Sequence, residues 1–127
     1  MHTSSATTRG VEVQVEARFL PERSEPGRWF FAYHITIRNT GEETVQLISR
    51  HWIITDANGA VEEVKGPGVV GHQPVLRPGE SFDYTSFCPL PTPFGTMEGT
   101  YQMTTADGLG FDAHIGQFGL SEPMAIN

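Results

Sequence analysis

Residues 11–19 read Val-Glu-Val-Gln-Val-Glu-Ala-Arg-Phe, with an apolar side chain at every second position. Successive side chains of a β-strand point to opposite faces, so this period of two places the apolar residues on one face. The stretch therefore predicts a strand with one buried and one solvent-exposed face.

The same period recurs along the rest of the chain. It predicts further strands over residues 29–38, 44–55, 60–65, 72–76, 81–87, 96–104 and 111–115, separated by turn sequences at 39–42, 56–59 and 77–80. Residues 88–95 contain three prolines and predict an irregular crossing. An interior proline costs a helix about 3 kcal/mol, and no segment shows a helical period. About seven or eight short strands predict an all-β fold, a single antiparallel β-sandwich of the fibronectin type III or immunoglobulin-like kind.

One domain of this kind spans residues 10–121. Residues 1–9 lack the apolar core of a secretory signal and predict a flexible N-terminal tail, and residues 122–127 predict a C-terminal tail. Cys88 is the single cysteine, which excludes an intrachain disulfide and a zinc site built on several thiolates. Aromatic packing must therefore hold the sheets together, and the candidate core aromatics are Trp29, Tyr33, Trp52, Phe82, Tyr101 and Phe111.

The charge balance excludes several classes of partner. Fifteen acidic and eight basic residues give a formal charge of −7, so the chain is a poor candidate for nucleic-acid binding, which needs clustered Lys and Arg. No polybasic run is available for anionic lipid, and no apolar stretch approaches the ~20 residues of a membrane helix. We expect a cytoplasmic protein that contacts no membrane and is a monomer.

One glycine pattern is typical of phosphate binding. Gly66, Gly68 and Gly71 match G-x-G-x-x-G after a predicted strand, but Pro74 and Pro78 exclude the helix that completes a Rossmann unit. Two interpretations stay open: the loop amides form an anion-binding nest, or the glycines only permit positive φ. The candidate phosphate or nucleotide loop comprises Lys65, Gly66, Gly68, Gly71 and His72.

Catalytic and metal-binding patterns are weak. His51 could join Asp56, Glu62 and Glu63 in an oxygen-rich magnesium site across strands, but scattered surface polarity is the preferred interpretation. Cys88 has no charged neighbour within three residues and predicts an inert thiol. We therefore expect no enzymatic activity, with a phosphoanhydride hydrolase as the alternative. We also expect no cofactor, with magnesium or cobalt as the alternative.

Two apolar features indicate a surface for a protein partner. Phe30 and Ala32 lie opposite the core phase of their strand, and residues 89–94 form a stiff segment rich in proline. The alternatives are that the preceding segment covers Phe30 and that the proline segment only bridges the two sheets. The candidate partner surface comprises Phe30, Leu90, Pro91, Pro93 and Phe94.

Several ordered stretches together resemble the bacterial ApaG family. They are Val-Gln-Leu at 45–47, Ser-Arg-His-Trp-Ile-Ile-Thr-Asp at 49–56, the segment 63–84, and Gly-Thr-Met-Glu-Gly-Thr-Tyr at 95–101. The similarity runs from about residue 10 to residue 120. Residues 86–89, Ser-Phe-Cys-Pro, depart from the small, glycine-containing sequence expected there.

The resemblance implies a fibronectin type III-like sandwich without an established enzymatic activity. It also implies the family's association with cobalt tolerance, magnesium flux and gene neighbourhood to diadenosine tetraphosphate hydrolase. Related domains in eukaryotic F-box proteins and in a polymerase-interacting protein imply a protein-interaction role. We thus expect a non-enzymatic protein–protein interaction module. The alternative is a sensor that holds a pyrophosphate-containing nucleotide on residues 66–71.

Overall fold

A computed structural model describes residues 1–123 of the 127-residue chain. This part of the chain consists of nine β-strands and one turn of 3₁₀ helix at Pro21–Arg23. The strands are His2–Thr8 (β1), Val11–Phe19 (β2), Trp29–Asn39 (β3), Val45–Asp56 (β4), Val61–Pro67 (β5), Val75–Leu76 (β6), Ser81–Leu90 (β7), Phe94–Thr105 (β8) and Gly110–Ser121 (β9).

The strands form two antiparallel sheets that pack face to face. The first sheet has the order β1-β2-β3-β7, and the second has the order β5-β4-β8-β9 with the short β6 paired to one end of β4. The predicted all-β antiparallel sandwich of the fibronectin type III kind is therefore confirmed. Within residues 1–123, no helix is long and apolar enough to cross a membrane.

The N-terminal residues differ from the prediction of a flexible tail. Residues 2–8 form β1, which pairs with β2 in a register from His2↔Ala17 to Thr8↔Val11. Arg9 and Gly10 both have positive φ, as the tight turn between the two strands requires. The sequence gives no apolar alternation here because β1 is held by its backbone ladder and by polar contacts to β9, such as Ser4 Oγ donating to the Gly116 carbonyl at 2.8 Å.

Glu122, the first residue of the predicted C-terminal tail, is part of the folded structure. Glu122 Oε2 accepts a hydrogen bond from the Trp29 indole at 2.8 Å, and the Glu122 amide donates to the Pro93 carbonyl at 2.9 Å. Residues 124–127 lie outside the described residues.

The hydrophobic core lies between the two sheets. Each fully buried Val, Ile or Phe contributes about 1.5–3 kcal/mol of transfer free energy. Of the predicted core aromatics, Tyr33, Trp52 and Tyr101 are buried, whereas Trp29, Phe82 and Phe111 are half-buried and pack against the core margin. Trp52 contacts Tyr33, Tyr101 and Phe118 with ring centroids 5.4–6.4 Å apart. Aromatic packing thus does join the sheets.

The two sides of the sandwich differ. On one side β1 packs against β9 and closes the space between the sheets. On the other side β7 and β5 are the last strands of their sheets, and a cleft separates them. The chain crosses from β7 to β8 on this side through residues 91–93, because β7 continues to Leu90 and β8 begins at Phe94. The predicted crossing over residues 88–95 is therefore too long.

Candidate functional site

The glycine loop follows β5 without an intervening helix. A Cβ atom at Gly66 would lie 2.9–3.0 Å from the guanidinium group of Arg50, so the absence of a side chain lets that group lie against the backbone. Arg50 Nη1 donates to the carbonyl oxygens of Pro67 and Gly68, both at 2.9 Å. Gly68 and Gly71 have φ of 58° and 83°. Each glycine of the motif therefore has a role in the backbone geometry.

The loop amides are largely occupied. The amides of Gly68, Val69 and His72 donate to the carbonyls of Ile48, His72 and Val69 respectively. The Val69 side chain is fully buried in the core, and Lys65 is exposed. His72 packs on the Phe82 ring, with centroids 5.6 Å apart. This geometry favours the structural interpretation of the motif, and phosphate binding stays a prediction.

The residues considered for a magnesium site are only partly brought together. His51 Nε2 lies 2.7 Å from Glu63 Oε1, but Glu62 points from the opposite face of β5, towards the other sheet. Asp56 Oδ1 accepts the amides of Asn58 and Ala60 in its own turn. Among residues 1–123, no group of three or more His, Cys, Asp or Glu side chains is placed to hold a metal ion.

Cys88 is a buried free cysteine on β7. Burial raises the pKa of its thiol to about 12, and the negative charge of Glu62 adds to the rise. A thiol with this pKa is protonated at neutral pH, and the thiolate is the nucleophilic form. The geometry therefore favours the interpretation of Cys88 as an inert thiol.

The proline segment exposes only part of the predicted partner surface. Leu90 is 3% exposed and belongs to the core, so its assignment to that surface is wrong. The prolines predict a crossing here rather than a strand, so the sequence does not show that Leu90 points inwards from β7. Pro91 is exposed, Pro93 is half-buried, and Phe94 is 47% exposed. The segment bridges the two sheets, as the alternative interpretation stated.

Phe30 lies in an exposed cluster of which the sequence pattern predicts only one member. The Phe30 ring stacks on the ring of Phe87, with centroids 6.0 Å apart, and Phe87 is 45% exposed. Arg23 lies 5.0 Å from the Phe87 centroid and 5.9 Å from that of Phe30, and Arg28 lies 5.4 Å from Phe30. We call Arg23, Arg28, Phe30 and Phe87 the aromatic surface.

Phe87 was missed as a surface residue, although a signal for it exists. It shares the phase of Asp83 and Thr85 on β7, the face opposite Tyr84 and Cys88. The preceding segment covers Phe30 only partly, through the two arginine side chains, while Ser24 Oγ accepts the Phe30 amide at 2.9 Å. The segment that precedes Phe30 thus holds the aromatic surface in place and covers it only in part.

A groove opens between the free edges of β5 and β7. One cavity of about 250 Å³ reaches in beside Tyr33, Arg50, Trp52 and Ser86. A second of about 290 Å³ continues towards Asp56 and Pro91, and the two share Ile54, Glu62 and Pro89. We call this continuous space the edge groove. Its inner wall is apolar, and charged groups stand along it.

Behind the edge groove lies a buried polar cluster. Tyr84 Oη and Tyr101 Oη are 2.6 Å apart, and Tyr33 stands nearby. Burial raises the pKa of all three phenols, while the positive charge of Arg50 acts in the lowering direction on each. Arg50 therefore stands close to the core phenols as well as to the glycine loop.

Comparison with known proteins agrees with the resemblance seen in the sequence. A family model described as the ApaG domain matches residues 20–105. The chain is 58% identical over 124 residues to Protein ApaG of Anaeromyxobacter dehalogenans strain 2CP-C, covering 98% of this chain and 99% of that one. It is 61% identical over 120 residues to Protein ApaG of Methylobacterium sp. strain 4-46, covering 93% and 92% of the two chains.

Solved structures agree at the level of the fold. The crystal structure of an ApaA protein from Bordetella pertussis superposes with a TM-score of 0.86 at 50% identity, covering 94% of this chain and 95% of that one. The C-terminal domain of wzt is similar in fold alone, with a TM-score of 0.55 at 10% identity, covering 94% and 77%. Since the family model matches more than half of the chain and relatives match nearly all of it, the chain belongs to the ApaG family.

Proposed function

We propose that this protein is a non-enzymatic protein–protein interaction module that binds its partner through the aromatic surface. The observation that carries the proposal is the stacked pair Phe30–Phe87, which stays accessible on the outer face of the first sheet. The pair lies on the solvent-side face of the sheet, so it adds nothing to the packing between the two sheets. Exposed apolar clusters of this kind mark interaction sites.

The composition of the aromatic surface also supports a protein partner. Aromatic and arginine side chains are enriched in interface cores, and residues of these types dominate binding energies. Arg23 and Arg28 lie over the ring faces, where each contributes about 0.5–1 kcal/mol at an exposed site and more when desolvated. A partner that covers the surface would strengthen both contacts. We expect it to present an apolar side chain beside a carboxylate.

The proposal is tested by quantitative pull-down from a native lysate with matched variants. Phe87→Ser should reduce recovery of the specific partner at least about tenfold, since an interface hot spot is worth about 2 kcal/mol or more. Val75→Ser is the control, because Val75 is 55% exposed on β6 of the other sheet. Recovery by Phe87→Ser equal to that by the wild type would overturn the proposal, provided that both variants keep the wild-type melting temperature.

A further inference from the structure

The edge groove combines an apolar wall with two open strand edges. Trp52 and Met97 are buried at its floor, and Val64 is half-buried beside them. β5 and β7 are each the last strand of a sheet, so each presents backbone groups without a ladder partner within residues 1–123. An extended chain that enters such a space hydrogen-bonds to the strand edge and places alternate side chains in the groove.

Arg50 stands at one end of the groove with part of its hydrogen-bonding capacity unused. Nη1 is fixed by the carbonyls of Pro67 and Gly68, both at 2.9 Å. Within residues 1–123, Nε and Nη2 make no hydrogen bond and Arg50 forms no ion pair. The Nε–Nη2 edge of a guanidinium group binds a carboxylate in a bidentate manner, and the anchored side chain loses little further entropy on binding.

The charge changes sign along the groove. Arg50 pairs in register with Gly66, and Ile54 pairs with Glu62, so Arg50 and Glu62 are four strand positions apart. At ~3.3 Å per residue this separation is about 13 Å along the strands. Glu62 is exposed and lines both cavities of the groove, which places its side chain at the opening. A complementary ligand therefore carries a negative group at one end and a positive group about four residues away.

We propose that the edge groove binds the free C-terminal segment of a partner chain in extended conformation, with the terminal carboxylate on the Nε–Nη2 edge of Arg50 and a basic side chain beside Glu62. This site adjoins the proposed aromatic surface at Phe87, which lines one wall of the groove, but it does not depend on that function. The open edges supply the backbone contacts, the apolar wall accepts the side chain next to the terminus, and the two charges fix the direction of the bound segment.

The test measures binding of a fluorescein-labelled octapeptide, Ser-Thr-Val-Lys-Lys-Thr-Val-Leu, to the full chain by fluorescence anisotropy. The matched control peptide has the same sequence and a C-terminal amide. We expect the amide to bind about tenfold more weakly, because the charge-assisted contact to Arg50 is lost. Equal affinity of the two peptides would overturn the proposal, as would the absence of saturable binding of the acid up to about 1 mM.

A charge exchange tests the other end of the groove. Glu62 is exposed, so Glu62→Lys leaves the core unchanged. This variant should bind the peptide about fivefold more weakly and should prefer the version with Glu-Glu in place of Lys-Lys. An unchanged preference between the two peptides would contradict the assigned direction and overturn the proposal.

Two further variants separate this proposal from the aromatic surface. Arg50→Lys keeps the charge but loses the bidentate edge, and should weaken the acid peptide about fivefold while leaving the amide unchanged. If this variant does not fold, the comparison of acid and amide on the wild-type protein decides. Phe30→Ser, which removes a residue outside the groove, should leave peptide affinity within about twofold. Loss of peptide binding in Phe30→Ser would assign the peptide to the aromatic surface and overturn the proposal.

Discussion

Gly68 packs against the carbonyl group of His72 so closely that a Cβ atom at Gly68 would overlap the His72 oxygen and lie 3.0 Å from the carbonyl carbon. The contact closes a tight turn in which Val69 and His72 exchange backbone hydrogen bonds at 2.8 and 2.9 Å. The turn places the Val69 side chain in the core. The glycine pattern that is typical of phosphate loops is therefore required here by the fold itself.

Gly68→Ala should destabilise the protein by about 2–4 kcal/mol. Its φ of 58° disfavours a side chain, and the new methyl group would collide with backbone that has no room to move. Urea unfolding measures the change. Gly71→Ala is the matched control, because Gly71 also has positive φ but nothing within 4 Å of an added Cβ atom. It should cost only about 1 kcal/mol. Equal losses of stability in the two variants would show that the contact with His72 contributes nothing to the free energy of unfolding.

The hydrogen bond between Tyr84 and Tyr101 in the core provides a second prediction. Removing one hydroxyl group leaves the other buried without its partner, whereas removing both leaves no polar group to desolvate. Tyr84→Phe and Tyr101→Phe should each cost about 1–3 kcal/mol, and the double variant should cost less than the sum. Denaturant unfolding of the four proteins gives the coupling energy. Strict additivity would show that the 2.6 Å contact is energetically neutral.

The parts of the fold with a clear period of two could be predicted from the sequence. β2 and the first half of β9 alternate cleanly because each has one face in the core and one in solvent, whereas an irregularity in the pairing of β8 with β9 breaks the period further along β9. β7 was predicted to end at Phe87, although it continues through Pro89 to Leu90. A proline is tolerated there because β7 is an edge strand, and edge position is a property of the whole sheet.

The candidate sites were less predictable for the same reason. Phe30 was identified from its phase on β3, but the stacking of Phe87 on it depends on the pairing of β3 with β7. The edge groove depends on which strands end each sheet and on Arg50 and Glu62 standing four positions apart across β4 and β5. Neither relationship is local in the sequence.

β1 supports a third prediction, because it was expected to be a flexible tail. Its amides should be protected from hydrogen exchange to nearly the same degree as those of β2, since the two strands are paired along the whole of β1. Deletion of residues 1–8 should lower the free energy of unfolding by several kcal/mol, because it exposes the edge of β2 and the backbone groups of β9 that Ser4 and Thr8 contact. Thr3→Ala, at an exposed position of β1, is the control and should be within about 0.5 kcal/mol of the wild type. Rapid exchange throughout residues 2–8 would contradict the paired strand.

The buried thiol of Cys88 and the buried tyrosine phenols predict a loss of stability at alkaline pH. Burial raises the pKa of Cys88 to about 12 and also raises the pKa of Tyr33, Tyr84 and Tyr101. In the unfolded chain these groups ionise near their ordinary values, about 8.5 for Cys and about 10 for Tyr. Above those values the unfolded state binds fewer protons than the folded state, so stability is fully present below about pH 8.5 and falls as pH rises.

The size of the effect follows from the number of groups that ionise on unfolding. Each contributes a loss of about 1.4 kcal/mol per pH unit, so the slope is shallow from about pH 9 to 10, where Cys88 alone acts, and steepens above about pH 10, where the tyrosines join it. Urea unfolding at a series of pH values measures both slopes. Cys88→Ala should abolish the shallow slope and retain the steep one, because the tyrosine cluster stays buried. A free energy of unfolding that stays constant up to pH 11 would contradict the burial of these phenols. Loss of the shallow slope alone in Cys88→Ala would assign that slope to the Cys88 thiol.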